Sequence, residues 1–339
     1  MHPRHGPLTL EHGGDLAGAR AQFPDAPEPF IDLSTGINPF SYPLGSLPAN
    51  AFTRLPQPAD LARLASIAAK TYGALSAEHV VPAPGMQLLL PMVAALVSPA
   101  RAAVLSPTYA EHARAAALAG HTVEEVGDLD ALAQAELAIV VNPNNPDGRM
   151  RRKTELLQVA EKLRERGGLL IVDEAFMEVG PRGESFAGAL ANSSNIVALR
   201  SFGKFYGLPG VRLGFALTAP HYAARLAALL GPWPLSGAAL AIGQIALADD
   251  AWARAMREQL RLGSARLDAL LSGAGLEVAG GTLLFRLVQT ERADALFARL
   301  GRAGVFVRRF SEHPTWLRFG LPGEEDAWRR LASALKAPA

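Results

Sequence analysis

A chain of 339 residues, 49% hydrophobic and 19% charged, can hold one large domain or two and has the make-up of an ordinary globular protein. Its net charge of +1 gives no electrostatic reason to expect nucleic acid or an anionic membrane surface as a partner. With no cysteine, disulfide and thiolate chemistry are excluded, which suits the cytoplasm.

The chain opens with MHPRHGPLTLEHGG, which lacks the apolar core of a signal peptide. Residues 1–55 read as an irregular arm, HGGDL then FIDLSTGINPF then a proline-rich link to RLPQP. Loop of that length in a compact protein is usually functional or draped over a partner. DLARLASIAAKTYG (60–73) has the apolar spacing of an amphipathic helix closed by glycine. The longest apolar run, LLLPMVAALV at 88–97, is too short to span a bilayer and reads as part of a buried helix, 86–97. From HVVPAPG onward, strands alternate with helices: RAAVLSP, HTVEEV, ELAIVVN, GGLLIVDEAF, SNIVALRS and VRLGFALT are the strands. Such alternation predicts an α/β fold with a mostly parallel sheet. The continuous apolar runs LAIVV and LLIVD suit strands buried on both faces. After Pro220 the pattern turns helical through 274, and short strands return in an α+β unit. The expected division is an arm at 1–55, a large domain at 56–245 and a small domain at 246–339.

In open α/β sheets, ligands sit beyond the carboxyl ends of the strands. Those ends carry the chemistry here. PAPGMQ (82–87) closes a strand and opens a helix, so the amides of Gly85, Met86 and Gln87 can cradle a phosphate. SPTYAEH presents Tyr109, a flat ring suited to stacking, and NPNNPDG presents Asn145 in a turn. VDEAF presents Asp173, whose burial would require a cationic partner. SFGK presents Ser201 and Lys204, with Arg212 eight residues on. Of five lysines, Lys204 alone stands in a glycine turn at the end of an apolar strand. Desolvation and a neighbouring cation there would favour the neutral amine, which can form a Schiff base with an aldehyde cofactor. Arg212 can hold that cofactor's phosphate by paired hydrogen bonds. Taken singly, each turn has a plainer reading: Asp173 as a helix cap, Tyr109 as core, His112 as a surface residue, NPNNPDG as a simple turn. Their joint occurrence on successive strand ends is what points to one site.

The set resembles the fold-type-I pyridoxal-phosphate enzymes of the class I/II aminotransferase superfamily, over nearly the whole chain. The resemblance implies a large domain with a mostly parallel seven-stranded sheet, a smaller α+β domain and pyridoxal 5'-phosphate as cofactor. It implies that Lys204 carries the cofactor and that Asp173, backed by His112, pairs with the pyridine nitrogen. Asn145 would bind the ring hydroxyl and Tyr109 would stack on the ring. Ser201, Arg212 and the Gly85–Gln87 amides would hold the phosphate, and Arg318 of TWLRFG would grip the substrate carboxylate. Because the superfamily builds its sites at subunit interfaces, a homodimer is implied. Two positions depart from its pattern: Phe176 stands where a tyrosine usually follows the aspartate, and Leu55 replaces the tyrosine of the RxP link.

Within this superfamily the chain is most similar to the histidinol-phosphate-aminotransferase-like branch, and there to the threonine-phosphate decarboxylases of cobalamin biosynthesis. HGGDL, LSTGINPF, DEAF and the short length carry that likeness. It implies loss of CO₂ from L-threonine O-3-phosphate to leave (R)-1-amino-2-propanol O-2-phosphate. Arg308, with Arg309 and His12 as helpers, would bind the substrate phosphate, and Gly36 and Asn38 of LSTGINPF would join the substrate site. The alternative is an aminotransferase for histidinol phosphate or a related amino acid, which shares every cofactor residue. A regulatory ligand-sensing domain would need a DNA-binding helix-turn-helix, for which the irregular 55 residues offer no clear room.

Overall fold

The computed structural model describes residues 12–190 and 195–336. The signal-peptide reading falls on residues 1–14, of which 1–11 lie outside the described residues. In chain order the strands are β1 (Ile31–Leu33), β2 (Val80–Ala83), β3 (Arg101–Leu105), β4 (Thr122–Val126), β5 (Leu137–Val141) and β6 (Leu169–Asp173). They continue as β7 (Ile196–Ser201), β8 (Gly214–Thr218), β9 (Glu277–Thr282), β10 (Phe285–Gln289), β11 (Val305–Arg309) and β12 (Trp316–Gly320).

Strands β2 to β8 form a seven-stranded sheet in the order β2-β8-β7-β6-β5-β3-β4. All its pairs are parallel except those of β8, which runs against both neighbours. Every residue of β5 and β6 is buried, as their unbroken apolar runs predict. Alternate side chains feed opposite cores: Ala138, Val140, Leu170 and Val172 on one face, Leu137, Ile139, Leu169 and Ile171 on the other. Burying each of the larger ones contributes about 1.5–3 kcal/mol, so the centre of this sheet is the rigid part of the molecule. At its carboxyl edge, Val141 is in register with Asp173, and Asp173 with Leu199 of β7. The turns that follow β5, β6 and β7 therefore emerge side by side.

Residue 174 faces the other way from Asp173. Glu174 is fully buried and meets Arg200 of β7 at 2.9 Å. Arg200 also lies 3.5 Å from Glu178 and over the Tyr72 ring, 4.8 Å from its centroid. A guanidinium among two carboxylates beneath the site ties β6 to β7 where their ends must stay aligned.

The second sheet has the order β1-β11-β12-β10-β9. Its first strand comes from the arm, and β1 runs parallel to β11 with Ile31 opposite Val305. The arm is thus more ordered than its composition predicts. It holds a helix over Leu16–Gln22, capped by the Asp15 carboxylate on the Gly18 amide, and a short turn of helix over Asn50–Thr53. Its strand was hidden because three residues, IDL, are too few to display a period. The 24-residue helix Asp250–Gly273 leads from the large sheet into the second, with Met256, Leu260, Leu267 and Leu271 turned inward. The apolar run at 88–97 is helical to Ala94, as part of the helix Met86–Ala94. Among the described residues no helix is long and apolar enough to cross a membrane.

Candidate active site

A cavity of about 860 Å³ opens at the carboxyl edge of the seven-stranded sheet, and residues of the arm and of the second sheet complete its walls. That volume accommodates a cofactor together with a small substrate. Lys204, Asp173, Tyr109, Asn145, Ser201 and Arg212 all line it, as do Arg308, Arg318 and His12.

Lys204 follows β7 in a single helical turn, Phe202–Phe205. Gly203 is required in that turn, because a Cβ there would come within 2.8 Å of the Pro209 Cα. Burial, then the charge of Arg318, pushes the Lys204 amine down to about 8, with Arg212 adding to the effect and Asp173 opposing it. The Lys204 Nζ lies 5.8 Å from the centre of the Phe176 ring, which occupies the expected tyrosine position without a hydroxyl.

Asp173 is buried at the end of β6. One carboxylate oxygen meets His112 Nε2 at 2.7 Å, and the other accepts from the Ala175 amide at 2.8 Å. Its position is fixed at both oxygens. Tyr109 forms a wall of the cavity; its hydroxyl donates to the Gln87 side-chain oxygen at 3.2 Å, and burial first, with Glu111 and Asp173 behind it, raises the phenol to about 12. The phenol therefore stays protonated at neutral pH.

Arg318 rises from β12 into the same cavity. Its guanidinium donates to the Asn145 side-chain oxygen and, at 2.8 Å, to the Ser34 carbonyl. Burial, with the charge of Arg308 behind it, lowers it to about 10, and Asp32 opposes the shift. Its Nε is buried with no hydrogen-bond partner.

The helix Met86–Ala94 points its amino end at the cavity, with Gly85 as its cap at φ +88°. A Cβ on Gly85 would lie 2.9 Å from an Arg212 nitrogen, so glycine is what lets this guanidinium lie across the helix start. Arg212 itself has a left-handed φ of 53°, a costly conformation for a non-glycine residue that the turn after Pro209 imposes. Its hydrogen bond to the Pro209 carbonyl is long, 3.4 Å. A guanidinium, a helix amino end and Ser201 converge on one spot, which is the donor set an anion needs.

Four expectations require correction. The Gly85 amide donates to the Ala83 carbonyl at 2.7 Å, which leaves the cradle to the amides of Met86 and Gln87. Arg309 points away from the cavity, because side chains alternate along β11; it lies over the Phe297 ring at 4.2 Å and pairs with Asp294 at 3.4 Å. Asn38 is buried and spent on backbone: its Nδ2 donates to the Phe205 carbonyl at 2.7 Å and its amide to the Lys204 carbonyl at 2.9 Å. Gly36 lies behind the wall, where a Cβ would come within 3.0 Å of Phe176 and Phe285. Together with Ser41 Oγ on the Gly207 carbonyl at 2.8 Å, the Asn38 contacts clamp this segment onto the Lys204 turn, while its Thr35 and Ile37 line the cavity.

Sequence reasoning missed Glu111, Arg114 and the 310–313 segment, all of which line the cavity. The acid immediately before His112 was the one available signal.

These residues fit pyridoxal phosphate: an amine with a depressed pKa, a doubly anchored carboxylate, and an anion cradle lie in one cavity that a stacked ring can share with Tyr109. A family profile for class I and II aminotransferases matches residues 49–335. The chain is 43% identical over 96% of its length to a threonine-phosphate decarboxylase of Pseudomonas aeruginosa, covering 97% of that protein. It is 30% identical to the threonine-phosphate decarboxylase of Salmonella typhimurium, over 89% of this chain and 88% of the other. Among solved structures, it superposes on histidinol-phosphate aminotransferase from Sinorhizobium meliloti in complex with pyridoxal-5'-phosphate with a TM-score of 0.82, at 23% identity over 99% and 97% of the two chains. For L-threonine-O-3-phosphate decarboxylase from Porphyromonas gingivalis the TM-score is 0.74, at 19% identity over 90% and 98%. The sheet, the site and the near full-length match agree: this chain is a member of the class I and II aminotransferase family.

Proposed function

We propose that the chain is a pyridoxal-phosphate-dependent decarboxylase acting on L-threonine O-3-phosphate. The observation that carries this reading is the pairing of two arginines, Arg318 and Arg308, in one cavity with Lys204, against the background of near full-length likeness to threonine-phosphate decarboxylases. A substrate with a carboxylate at one end and a phosphate at the other finds an anchor for each.

When bound, pyridoxal phosphate supplies an electron sink for the pair released from a bond broken at the substrate Cα. Lys204 would hold it through its neutral amine, Asp173 would face its ring nitrogen, and Asn145 its ring hydroxyl. Arg212, Ser201 and the amides of Met86 and Gln87 would hold its phosphate. Asp173, held at one oxygen by His112 Nε2 and at the other by the Ala175 amide, would present its carboxylate to the ring nitrogen and so favour the protonated ring.

Arg318 then takes the substrate carboxylate, and Arg308 takes the phosphate, with His12 as its helper. Two fixed ends set the torsion about the N–Cα bond, which decides whether the carboxylate or the hydrogen departs. For the decarboxylation to balance, CO₂ leaves without the bonding pair and Cα gains one proton. Lys204 Nζ, whose ammonium is disfavoured by burial, is suited to deliver it. Phe176 supplies no acid or base at that point, so the lysine is left as the mobile proton carrier.

The aminotransferase alternative would use the same anchors but requires an amino acceptor. Incubating the loaded protein with threonine phosphate and no keto acid separates the two. Catalytic CO₂ release with an amino-alcohol phosphate supports the decarboxylase, whereas a single half-turnover rescued by 2-oxoglutarate contradicts it.

We further propose a cytoplasmic homodimer with domains divided at 1–55, 56–245 and 246–339, of which the arm supplies β1. Leu44, Phe52 and Leu55 of the arm, exposed at 54%, 69% and 61%, support a second copy as their cover. Light scattering of the holoenzyme tests that assembly.

A further inference from the structure

The cavity walls include one carboxylate that the chemistry above does not use. Glu111 opens the helix Glu111–Leu118 and is 4% exposed, in a cavity that must take two anions. A buried acid in such a place repels the substrate unless its charge is engaged elsewhere. Here it is engaged on three sides. One oxygen meets His12 Nε2 at 3.1 Å. The other accepts from Gln87 Nε2 at 2.8 Å and from Arg114 NH1 at 3.1 Å. Gln87 in turn receives the Tyr109 hydroxyl on its own oxygen, so its amide orientation is set from both ends.

The three partners come from separate parts of the chain. His12 belongs to the arm, Gln87 to the helix start at the anion cradle, and Arg114 to the next turn of the helix of Glu111 itself. His12 and Arg114 are about half exposed, 49% and 54% for their side chains, and both line the cavity mouth. Half-exposed side chains lose rotamer freedom when they grip an anion, and a long arginine loses the most. A buried carboxylate that already holds both removes much of that cost before the substrate arrives.

We propose that Glu111 is a positioning residue that holds His12 and Arg114 at the cavity mouth as a prepared receptor for the distal phosphate, with Arg114 a phosphate ligand beside Arg308. The inference rests on the decarboxylase reading for its substrate. It makes a counter-intuitive demand: deleting a negative charge from an anion site must weaken anion binding. If the carboxylate acted only through its charge, its removal would strengthen binding.

The test uses holoenzyme with Glu111→Gln, Glu111→Asp, Arg114→Ala and the Glu111→Gln/Arg114→Ala double variant, assayed on threonine phosphate and on threonine. Glu111→Gln should raise KM for threonine phosphate about tenfold, as charge-assisted contacts are loosened, and narrow the preference over threonine by a similar factor. Glu111→Asp should recover part of that loss, and bound pyridoxal phosphate should be unchanged throughout. Arg114→Ala, at an exposed position, should raise KM severalfold, and the double variant should fall short of the product of the two effects. An unchanged or lower KM in Glu111→Gln, or strict additivity in the double variant, overturns the inference while the decarboxylase reading stands. Wild-type protein that shows no preference for the phosphorylated substrate overturns both.

Discussion

Replacing Asp173 with asparagine separates charge from shape at the centre of the site. The side-chain oxygen of the introduced asparagine can still accept from the Ala175 amide, which lies 2.8 Å from the native carboxylate, and His112 can offer an unprotonated nitrogen to the new amide. Volume and hydrogen bonds survive, and only the charge is lost. A preorganised charge facing developing charge in a dry site commonly contributes several kcal/mol, so kcat should fall about a thousandfold, equivalent to about 4 kcal/mol. The same substitution acts on Lys204 with an opposite sense. Asp173 raises the Lys204 pKa, which stands at about 8, and its neutralisation must therefore lower it. Since the neutral amine is the form that captures the aldehyde, capture at pH 7 should become faster while turnover collapses. The assay is paired: CO₂ release for turnover, and the absorbance change on mixing cofactor-free protein with pyridoxal phosphate across a pH series spanning the Lys204 titration for capture. A kcat within tenfold of wild type, or a capture midpoint displaced to higher pH, would refute the placement of Asp173 as the charge that serves both.

The remaining predictions concern single side chains. In wild type, the rate of cofactor capture should rise with pH and level off above about 8, because below that value Lys204 carries its proton. Borohydride reduction of the holoenzyme followed by peptide mapping should place the label on Lys204, and Lys204→Ala should bind the cofactor reversibly without turning over. Arg308→Ala should cost roughly thirty- to a thousandfold in kcat/KM for threonine phosphate, the scale of a lost buried charge-assisted contact. Arg309→Ala should leave the same ratio within about twofold, because its guanidinium rests on Phe297 and Asp294 outside the cavity.

The contrast between those last two residues marks where the sequence stops being informative. Arg308 and Arg309 are neighbours of one type in GVFVRRF. Which of them faces the cavity depends on the register of β11 against β12, where Arg308 stands opposite Arg318. No local pattern in five residues encodes that. The ends of β5, β6 and β7 were legible for the opposite reason: unbroken apolar runs announce doubly buried strands, and a polar residue closing such a run has few plain explanations. Asp173 and Lys204 were therefore readable, and the seven-stranded sheet with them. Asn38 was misjudged because its partners lie 167 positions away at Phe205, and only the folded arm brings them together. Glu111 escapes notice because its partners lie up to 99 positions away and a lone acid at a helix start has an ordinary meaning as a favourable end charge.

In a decarboxylase of this kind the bond broken at Cα is the one to the carboxylate, and the Cα hydrogen stays in place. Threonine phosphate carrying deuterium at Cα tests it directly, with the holoenzyme in ordinary water and the products read by mass spectrometry. Decarboxylation should give an amino-alcohol phosphate that keeps its deuterium and gains one solvent hydrogen at the same carbon. Washout of the deuterium with formation of a keto acid would contradict it.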